Sequence, residues 1–523
     1  MKIALVNFDI DKYLSELGIK LSREFDVKFF CGHQKPKKGS GLDNSEFIDS
    51  TCLYHLEDIE KAFTGYDLEK ISCLENIDYE YYSNAYLIFS RIYDRISPIP
   101  KSNTYTQNFY WKLIKTFESI LGNKGLDTII FNSTPHQPWD FAFYTVAKKI
   151  KIKTLILQRT EMVHKNLILE SYNFENYNFN FDYGTKPDLE FEKILKNNSS
   201  FLSGLNKIHR SQDIIDGLQI EQYRNSNSFM ILIKKYPSLK FVDFLVRLFK
   251  LLEIRYIFQA FYQKLPLQVV GATERSISDS TIAGMKNVSR FQYFFIKLNT
   301  VKNNLLIKKI NSNFNNNIDI KKIEYIFYGL SYNPERTSTP EAGNMQNPFH
   351  AIKILSEVLP EHFKIIVKEH PRQLYKDVRG INYREKNFYN EILKIKKVMF
   401  VNASHNYEEL IENSKMTATI NGSAIGGGLI KGKPSICFGN TWLSGCKSVK
   451  FVKSVAECKQ AFQELIKQNK EKVQTNFREY IYENRNYFVS AAICDGDIER
   501  FEPVNREKNL DDLFLCIKKR IQD

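Results

Sequence analysis

The apolar runs of residues 324–442 constrain the fold most, because each one stops abruptly at small or polar residues. The runs EYIFYGL, FKIIVK, VMFVNA, TATI and SICF lead into SYNPERTSTPEAG, EHPRQ, SHNYEE, NGS and GNTW. Helical stretches lie between most of them, and strands that alternate with helices predict a parallel α/β sheet. Ligands of such sheets bind in the crevice beyond the carboxyl ends of the strands. The EHPRQ and NGS loops are therefore predicted to face one ligand.

A second α/β unit is predicted at the amino terminus. Strands are expected at residues 2–7 and 27–31 with a helix at residues 11–24 between them, then a strand at 127–131 and a helix from Phe141 to Ile150. We divide the chain into an acceptor-side domain with a helical insertion (1–315), a donor domain (316–480) and carboxyl-terminal helices that cross back to the first domain (481–523). Residues Glu464 to Asn484 are predicted to form one helix.

Composition and charge limit the classes of protein that the chain can belong to. The hydrophobic content of 43% is that of a globular protein, and 74 basic against 60 acidic residues give a net charge of +14. This excess favours an anionic partner, such as a nucleotide, a nucleic acid, an anionic lipid or an acidic glycan. The eight cysteines show no metal-binding spacing, and no apolar run reaches the length of a membrane span. We expect a cytoplasmic protein, with room for peripheral contact at the inner face of the membrane.

The apolar and basic stretch at residues 241–265, FVDFLVRLFKLLEIRYIFQAFYQKL, has two interpretations. It fits a core helix with a solvated edge, and it also fits a helix that lies on a membrane surface. Residues 160–320 as a whole indicate no function.

His370 is the first candidate site residue, because it follows the apolar strand FKIIVK directly, between Glu369 and Pro371. A histidine there can hold a phosphate or protonate a departing phosphate oxygen, since its pKa lies near neutral pH. Lys368 adds a positive charge on the same loop. The alternative is a histidine that only satisfies nearby backbone groups.

The turn NGSAIGGG is the second candidate and supplies Asn421, Gly422, Ser423 and Ala424. Small residues let backbone N–H groups approach a phosphate closely, and Ser423 adds a hydroxyl. Glycine turns between a strand and a helix are common, so this turn has a purely structural alternative.

In the first unit, NSTPHQPWD offers His136 and Asp140 at the end of a strand. A base at this position would face the crevice from the opposite domain. A loop made rigid by Pro135 and Pro138 is the structural alternative.

These motifs together resemble the capsule polysaccharide biosynthesis family, which includes the bacterial β-Kdo transferases of capsule assembly. The resemblance rests on SYNPERTSTPEAG, VKEHPRQ, SHNYEELIENS and INGSAIGGGLIKGKPSICFGNTW, and NSTPHQPWD is similar to an amino-domain motif of related surface-carbohydrate enzymes. The His-Pro motif alone is less specific, because bacterial sialyltransferases and polyol-phosphate polymerases share it.

The resemblance implies a GT-B-like α/β fold, with two Rossmann-like domains facing a central cleft and extra helical segments. It implies a nucleotide-activated sugar as substrate, in many relatives a CMP-linked ulosonic acid such as Kdo or a nonulosonic acid. His370 and the turn Asn421–Ser423 match the residues expected to meet the donor phosphate, and Glu335 lies in a loop expected on the nucleotide side. Many relatives have a glutamate after the turn, where this chain has Gly426, Gly427 and Gly428.

From this we expect metal-independent glycosyl transfer to a glycan or lipid-linked acceptor, without a cofactor. His370 and Ser423 would stabilise the leaving phosphate, and Asp140 or His136 would orient or deprotonate the acceptor hydroxyl. The acidic triplet at residues 495–497 falls between helices and is interpreted as a turn. A CDP-polyol phosphotransferase, a non-catalytic scaffold and a basic nucleic-acid-binding protein are the alternatives. No recognisable nucleic-acid-binding signature supports the last one, so no specific nucleic acid is expected as a partner.

Overall fold

The computed structural model of the chain describes residues 1–63, 66, 77–97, 101–160, 162, 165–172, 193, 195–196, 290–314, 318–333, 335–374, 383–495 and 505–523. The stretch at residues 241–265, for which a core or membrane-surface helix is expected, lies outside these residues.

The described residues form two mostly parallel sheets covered by helices, which confirms the predicted α/β class. The strands are β1 Lys2–Val6, β2 Asp26–Gly32, β3 Glu46–Asp49, β4 Thr128–Phe131, β5 Lys153–Gln158, β6 Asn166–Leu169, β7 Tyr325–Gly329, β8 Lys364–Lys368, β9 Val398–Val401, β10 Met416–Thr419, β11 Ser435–Cys437, β12 Val449–Phe451 and β13 Phe488–Val489.

The helices of the same residues begin mostly after Asp, Ser or Asn caps, whose side chains accept hydrogen bonds from the first turn. They are α1 Lys12–Ser22, α2 Ile59–Ala62, α3 Tyr79–Ile96, α4 Asn103–Lys124, α5 Pro138–Lys149, α6 Arg290–Ser312, α7 Pro348–Val358, α8 Lys386–Leu393, α9 Tyr407–Asn413, α10 Ala424–Ile430, α11 Val455–Leu465, α12 Lys470–Glu483 and α13 Arg506–Gln522. None of these helices combines the length and the apolar character needed to cross a membrane.

The sheet of the first domain has the order β13-β6-β5-β4-β1-β2-β3. Strands β1 to β5 are parallel in the Rossmann arrangement 3-2-1-4-5. Strand β6 pairs antiparallel with β5, and β13 pairs antiparallel with β6. The strand β4 is buried along its whole length. Parallel strands covered on both faces read as continuous apolar runs, which is why the sequence located them.

The second sheet has the order β12-β11-β10-β7-β8-β9, with every pair parallel. Numbered within this domain, the order is 3-2-1-4-5-6 when read from β9, which is the Rossmann order. The direction of the strand order therefore reverses between β7 and β10. The loops that follow these two strands diverge and leave a crevice at the carboxyl edge.

The carboxyl-terminal segment belongs structurally to the first domain. Strand β13 pairs with β6, and α13 packs against α1 through Leu513 and Ile517. Asn509 donates to the Tyr13 hydroxyl at 2.5 Å and accepts from the Ala492 backbone N–H at 2.8 Å. Asp495 of the acidic triplet accepts from the Tyr13 backbone N–H at 3.1 Å, which gives this carboxylate a structural partner.

An apolar core connects the two domains. Buried side chains of α10, α12 and the loop after β11 belong to the same cluster as those of β4, α4 and α5. They include Leu429, Trp442 and Phe477. The chain therefore buries one face of the second domain against the first.

Two predicted helix limits are wrong for local reasons. Helix α5 begins at Pro138 rather than Phe141, because proline suits the first helical position and Gln137 with Asp140 forms a capping box. The helix expected at Glu464–Asn484 is two helices, α11 and α12. The chain turns between them, and the Asn469 side chain caps α12 by accepting from the Lys472 backbone N–H at 2.9 Å.

Two glycine-to-alanine substitutions should change stability in opposite directions. A Cβ at Gly428 would lie 2.6 Å from Thr417 Oγ1 and 3.1 Å from the Lys433 carbonyl oxygen, whereas a Cβ at Gly122 in α4 meets nothing within 4 Å. Gly428→Ala should cost about 1–3 kcal/mol of unfolding free energy through overpacking. Gly122→Ala should add about 0.5–1 kcal/mol, because glycine weakens a helix interior. Urea denaturation measures both, and a neutral Gly428→Ala would contradict the close packing of α10 on β10.

Candidate functional site

The candidate site lies at the point where the second sheet reverses its strand order. The loops after β7, β8 and β10 all leave the carboxyl edge of that sheet. They carry Glu335, His370 and the turn of residues 421–424, so the structure places these predicted residues on neighbouring loops. Strand reversal creates the crevice in which open α/β sheets bind their ligands.

His370 is held by its own loop and by the loop after β7. Its ring lies 5.8 Å from the ring of Tyr332, and its carbonyl oxygen accepts from the Gln373 backbone N–H at 2.9 Å. The buried Gln373 side chain joins the two loops, since it donates to the Asn333 carbonyl and accepts from the Asn333 N–H, both at 3.0 Å. The half-buried imidazole is thus fixed at the edge of the crevice.

A buried ion pair supports this loop from beneath. Glu369 and Arg384 have side chains that are each 1% exposed, and Arg384 Nε lies 2.8 Å from Glu369 Oε2. The Tyr389 hydroxyl donates to the same oxygen at 2.8 Å, and the other carboxylate oxygen accepts from the His370 backbone N–H at 2.9 Å. Arg384 also donates to the Ser331 carbonyl at 3.1 Å. One carboxylate therefore connects the loop after β8 with α8, and its arginine partner reaches the loop after β7.

In this cluster Arg384 is kept charged and Tyr389 is kept protonated. Burial acts to lower the pKa of the Arg384 guanidinium, but the Glu369 carboxylate outweighs it, so the pKa is raised above its ordinary value. Burial raises the pKa of the Tyr389 hydroxyl, and the Glu369 carboxylate raises it further. Tyr389 is therefore a permanent donor at physiological pH. Sequence reasoning missed Arg384 and Tyr389. A glutamate at the end of a buried strand was the one signal, since buried carboxylates need partners.

The small turn after β10 comes close to the loop after β7. A Cβ at Gly422 would lie 3.1 Å from Thr419 Oγ1 and 3.6 Å from Ser331 Oγ. Asn421 is buried, and its amide donates to the Thr337 carbonyl at 2.8 Å. Its Oδ1 and the Ser331 hydroxyl are both buried without a hydrogen-bond partner among the described residues. Unsatisfied polar atoms of this kind on both sides of a crevice are suited to a polar ligand.

Lys368 and Ser423 meet through an aromatic ring. The buried Lys368 ammonium lies 5.6 Å from the centre of the Tyr407 ring, and the Tyr407 hydroxyl is 3.5 Å from Ser423 Oγ. The structure therefore brings the positive charge of the β8 end close to the turn after β10. Glu335 is half-buried, and its own backbone closes the loop by accepting from the Ser338 and Thr339 N–H groups at 3.0 and 2.9 Å.

Close packing explains why a glycine stands at position 428, after the turn. Gly428 lies so close to Thr417, Lys433 and Ser435 that any side chain would collide with them. The helix α10 can approach the sheet only because this position is bare. A glutamate is therefore excluded at Gly428.

His136 and Asp140 lie at the end of β4, but they face different surroundings. Asp140 is 2% exposed, and its Oδ1 accepts from the His136 and Gln137 backbone N–H groups at 2.8 and 2.7 Å. Burial raises the pKa of the Asp140 carboxyl to about 8, although the backbone donors and Arg95 oppose the rise. The half-buried His136 ring has Nδ1 2.8 Å from the Thr134 carbonyl oxygen. That oxygen can only accept, so Nδ1 donates the hydrogen bond to it.

The two carboxyl edges meet at a seam between the domains. Arg91 on α3 donates to the Gly343 carbonyl and to Asn344, both at 3.2 Å. The Tyr383 hydroxyl reaches the carbonyls of Asp94 and Arg95 on the same helix. The loop that holds His136 and the loop after β7 therefore lie on opposite sides of one seam. In the described part of the chain, no three His, Cys, Asp or Glu side chains are grouped to hold a metal ion.

Breaking the buried ion pair should be costly. Arg384→Met leaves the Glu369 carboxylate buried without its counter-charge, which should cost about 3–5 kcal/mol of unfolding free energy. Adding Glu369→Gln removes that charge and should recover part of the loss. Urea denaturation of the two variants measures this, with Lys450→Met in the exposed Lys450–Glu464 pair as the control that changes little. An equal cost for the buried and exposed pairs would contradict this role for Glu369.

The Asp140 carboxyl should make stability depend on pH. Its pKa is raised from 3.8 to about 8 by burial, so between these values the folded form holds a proton that the unfolded chain releases. Rising pH in this window therefore favours unfolding. Asp140→Asn can accept the same two hydrogen bonds and does not titrate. Wild-type stability should fall relative to this variant as pH rises from about 4 to 8, measured by thermal denaturation. A constant difference would mean that Arg95 keeps the carboxylate ionised.

Known proteins resemble the chain at the family level and in part of its length. Residues 346–449 match the capsule polysaccharide biosynthesis protein family. This segment begins in the loop after β7 and contains His370 and residues 421–424, so the match confirms the resemblance that the motifs indicated. No curated protein sequence matches the chain.

Several solved structures show a weak likeness. UDP-GlcNAc 2-epimerase of Methanocaldococcus jannaschii, in complex with UDP-GlcNAc and UDP, is 11% identical over 92% of this chain and 100% of that chain, with a TM-score of 0.24. The β-Kdo 2,7 transferase KpsC of Thermosulfurimonas dismutans is 14% identical over 42% and 61%, with a TM-score of 0.22. A UDP-forming α,α-trehalose-phosphate synthase of Burkholderia xenovorans is 8% identical over 98% of both chains, with a TM-score of 0.31.

Because all three TM-scores are low, the fold assignment rests on the strand order and pairing of this chain. The family resemblance rests on the sequence match, which covers the loops after β8 and β10. Residues 346–449, which carry His370 and the turn after β10, thus match the capsule polysaccharide biosynthesis protein family.

Proposed function

We propose that the protein is a glycosyltransferase of bacterial surface polysaccharide synthesis. Its donor would be a nucleotide-activated sugar, an ulosonic acid (Kdo or a nonulosonic acid) linked to CMP, and its acceptor a glycan or a lipid-linked glycan. The observation that carries the proposal is the grouping of His370, Ser331 and the bare Gly422 turn at the strand reversal between β7 and β10. The family match over residues 346–449 supports a role in capsule synthesis.

The donor phosphate would lie between the turn and His370. Ser331, Ser423 and the backbone of Gly422 can donate to its oxygens, and the Lys368 charge stands behind them at 5.6 Å from the Tyr407 ring. Donors that are fixed before the reaction stabilise developing charge most effectively. The ion pair of Glu369 and Arg384 would keep His370 in place as the sugar–phosphate bond breaks.

The acceptor would be activated from the other side of the seam. Its hydroxyl oxygen forms the new bond to the anomeric carbon, the bond from that carbon to the phosphate oxygen breaks, and CMP leaves with the electron pair. His136 Nε2 would take the hydroxyl proton, since Nδ1 faces the Thr134 carbonyl. Asp140 would act through the backbone of His136 as a positioning residue. We propose that this transfer needs no metal or cofactor.

The cellular setting follows from the same chemistry. CMP-sugars are water-soluble, so transfer would take place in the cytoplasm. The net charge of +14 fits an anionic donor and an anionic acceptor held at the inner face of the membrane.

Nucleotide binding tests the proposal directly. CMP at about 100 times its dissociation constant should stabilise the protein by about 2.7 kcal/mol. At the same concentration, CDP, UMP, UDP and GDP should stabilise it less. His370→Ala should remove most of the CMP effect. His362→Ala is the matched control, because His362 is exposed and precedes β8 at the opposite edge of the sheet. Thermal denaturation measures all of these.

Each other outcome points to an alternative. Stabilisation by CDP and transfer from CDP-glycerol would indicate a polyol phosphotransferase. Stabilisation by UDP alone would leave a glycosyltransferase with another donor. No stabilisation by any nucleotide would contradict the proposal and favour the scaffold or the basic nucleic-acid-binding protein.

A further inference from the structure

Four ionisable side chains meet at the seam beside the proposed phosphate position. Arg95 and Asp140 belong to the first domain, and Arg336 and Glu341 belong to the loop after β7. Arg95, Asp140 and Glu341 are buried, whereas Arg336 is only partly buried. The Arg95 guanidinium acts on both carboxyl groups, because it lowers the pKa of each against the effect of burial.

Arg336 is the accessible member of this group. Its Nε lies 2.9 Å from Glu341 Oε1, and the side chains are 21% and 5% exposed. Arg336 and Glu341 form an ion pair without a hydrogen bond, since Glu341 Oε1 has no hydrogen-bond donor in the described part of the chain. A guanidinium has five N–H donors in a planar fork that matches a carboxylate. The fork of Arg336 is therefore not used by its present partner.

The Glu341 carboxyl would keep other favourable neighbours if Arg336 moved to bind a ligand. Burial raises the pKa of the Glu341 carboxyl, and Arg336, the Thr134 hydroxyl and Arg95 oppose that rise. Thr134 and Arg95 both come from the first domain. Loss of the Arg336 contact would leave Glu341 with these two partners rather than with none.

The position of Arg336 relates it to the bond that would break. Asn421 of the turn donates to the carbonyl of Thr337, the next residue, at 2.8 Å. On the far side, Glu341 feels the charge of Arg95 from the first domain, which opposes the rise of its pKa. Arg336 thus lies between the proposed phosphate position and the acceptor side. An ulosonic acid bears a carboxylate on the carbon that also carries the phosphate oxygen, whereas a uronic acid bears it across the ring.

We propose that Arg336 binds the carboxylate of the transferred sugar and so selects ulosonic acids. In doing so, Arg336 would give up its contact with Glu341. This inference rests on the proposed function, because it takes the phosphate to lie at the turn after β10. It identifies Arg336, which lies in the SYNPERTSTPEAG motif but outside the family match over residues 346–449, as a specificity-determining residue.

Calorimetric titration with two probes tests it, namely CMP and CMP-N-acetylneuraminic acid, which adds the carboxylated sugar. The wild-type protein should bind the second probe more tightly. Arg336→Met should weaken that binding by about tenfold or more and leave CMP binding within about twofold. Arg336→Lys keeps the charge but not the planar guanidinium, so its affinity for the carboxylated probe should lie between those of the wild-type protein and Arg336→Met. Arg91→Met removes another arginine of the seam and is the control for a general loss of positive charge, so it should leave the binding of both probes nearly unchanged.

Glu341→Gln distinguishes recognition from simple support. It removes the competing carboxylate, so the carboxylated probe should bind more tightly while CMP binding stays constant. Equal weakening of both probes by the Arg336 and Glu341 variants would overturn the inference and indicate a structural role. CMP binding with no gain from the sugar would overturn the inference alone, and no CMP binding by the wild-type protein would overturn the proposed function with it.

Discussion

The buried ion pair of Glu369 and Arg384 is the interaction on which the candidate site depends. Taking two charges out of water is costly, and the cost is offset only by close geometry and further hydrogen bonds. The pair meets both conditions, because Tyr389, the His370 backbone and the Ser331 carbonyl complete it. Its consequence is geometric. The loops after β7 and β8 cannot move independently, so the groups that face the crevice are held in place before any ligand arrives, which is what electrostatic stabilisation requires.

The seam between the domains has a different character. An apolar core from α10 and α12 joins the domains on one side, while Arg95, Asp140, Arg336 and Glu341 share the other. Each of these carboxyl groups has its pKa raised by burial, and each is opposed by an arginine. A region of this kind is strongly affected by the arrival of another anion. The proposed carboxylated sugar would therefore act on this side of the seam, while the apolar core holds the two domains together on the other side.

The structure brings the sequence motifs together at one crevice, and it gives His136 and Asp140 different surroundings. The strand reversal brings together His370, Lys368 and residues 421–424. We expected this, because ligands of open α/β sheets bind beyond the carboxyl ends of the strands. The Asp140 side chain accepts from the backbone N–H groups of His136 and Gln137 at the start of α5, and for this reason we propose His136 rather than Asp140 as the group that receives the proton. Glycines 426–428, where relatives have an acidic residue, are explained at Gly428 by the close approach of α10 to the sheet.

The amino-acid sequence by itself determined most of the parallel strands, their α/β alternation and the loops that follow them, because these features arise from short-range apolar patterns. It located His370 and the turn after β10 for the same reason. It did not predict the short strands β3, β6, β12 and β13. It missed the start of α5 by three residues and joined α11 to α12, since single caps at Gln137 and Asn469 decide those limits. Only the tertiary structure decided that Arg384 faces Glu369 and that Glu341 faces Thr134 and Arg95. Such partners are far apart in the chain, and their meeting depends on how the sheets twist and pack, which no local pattern records.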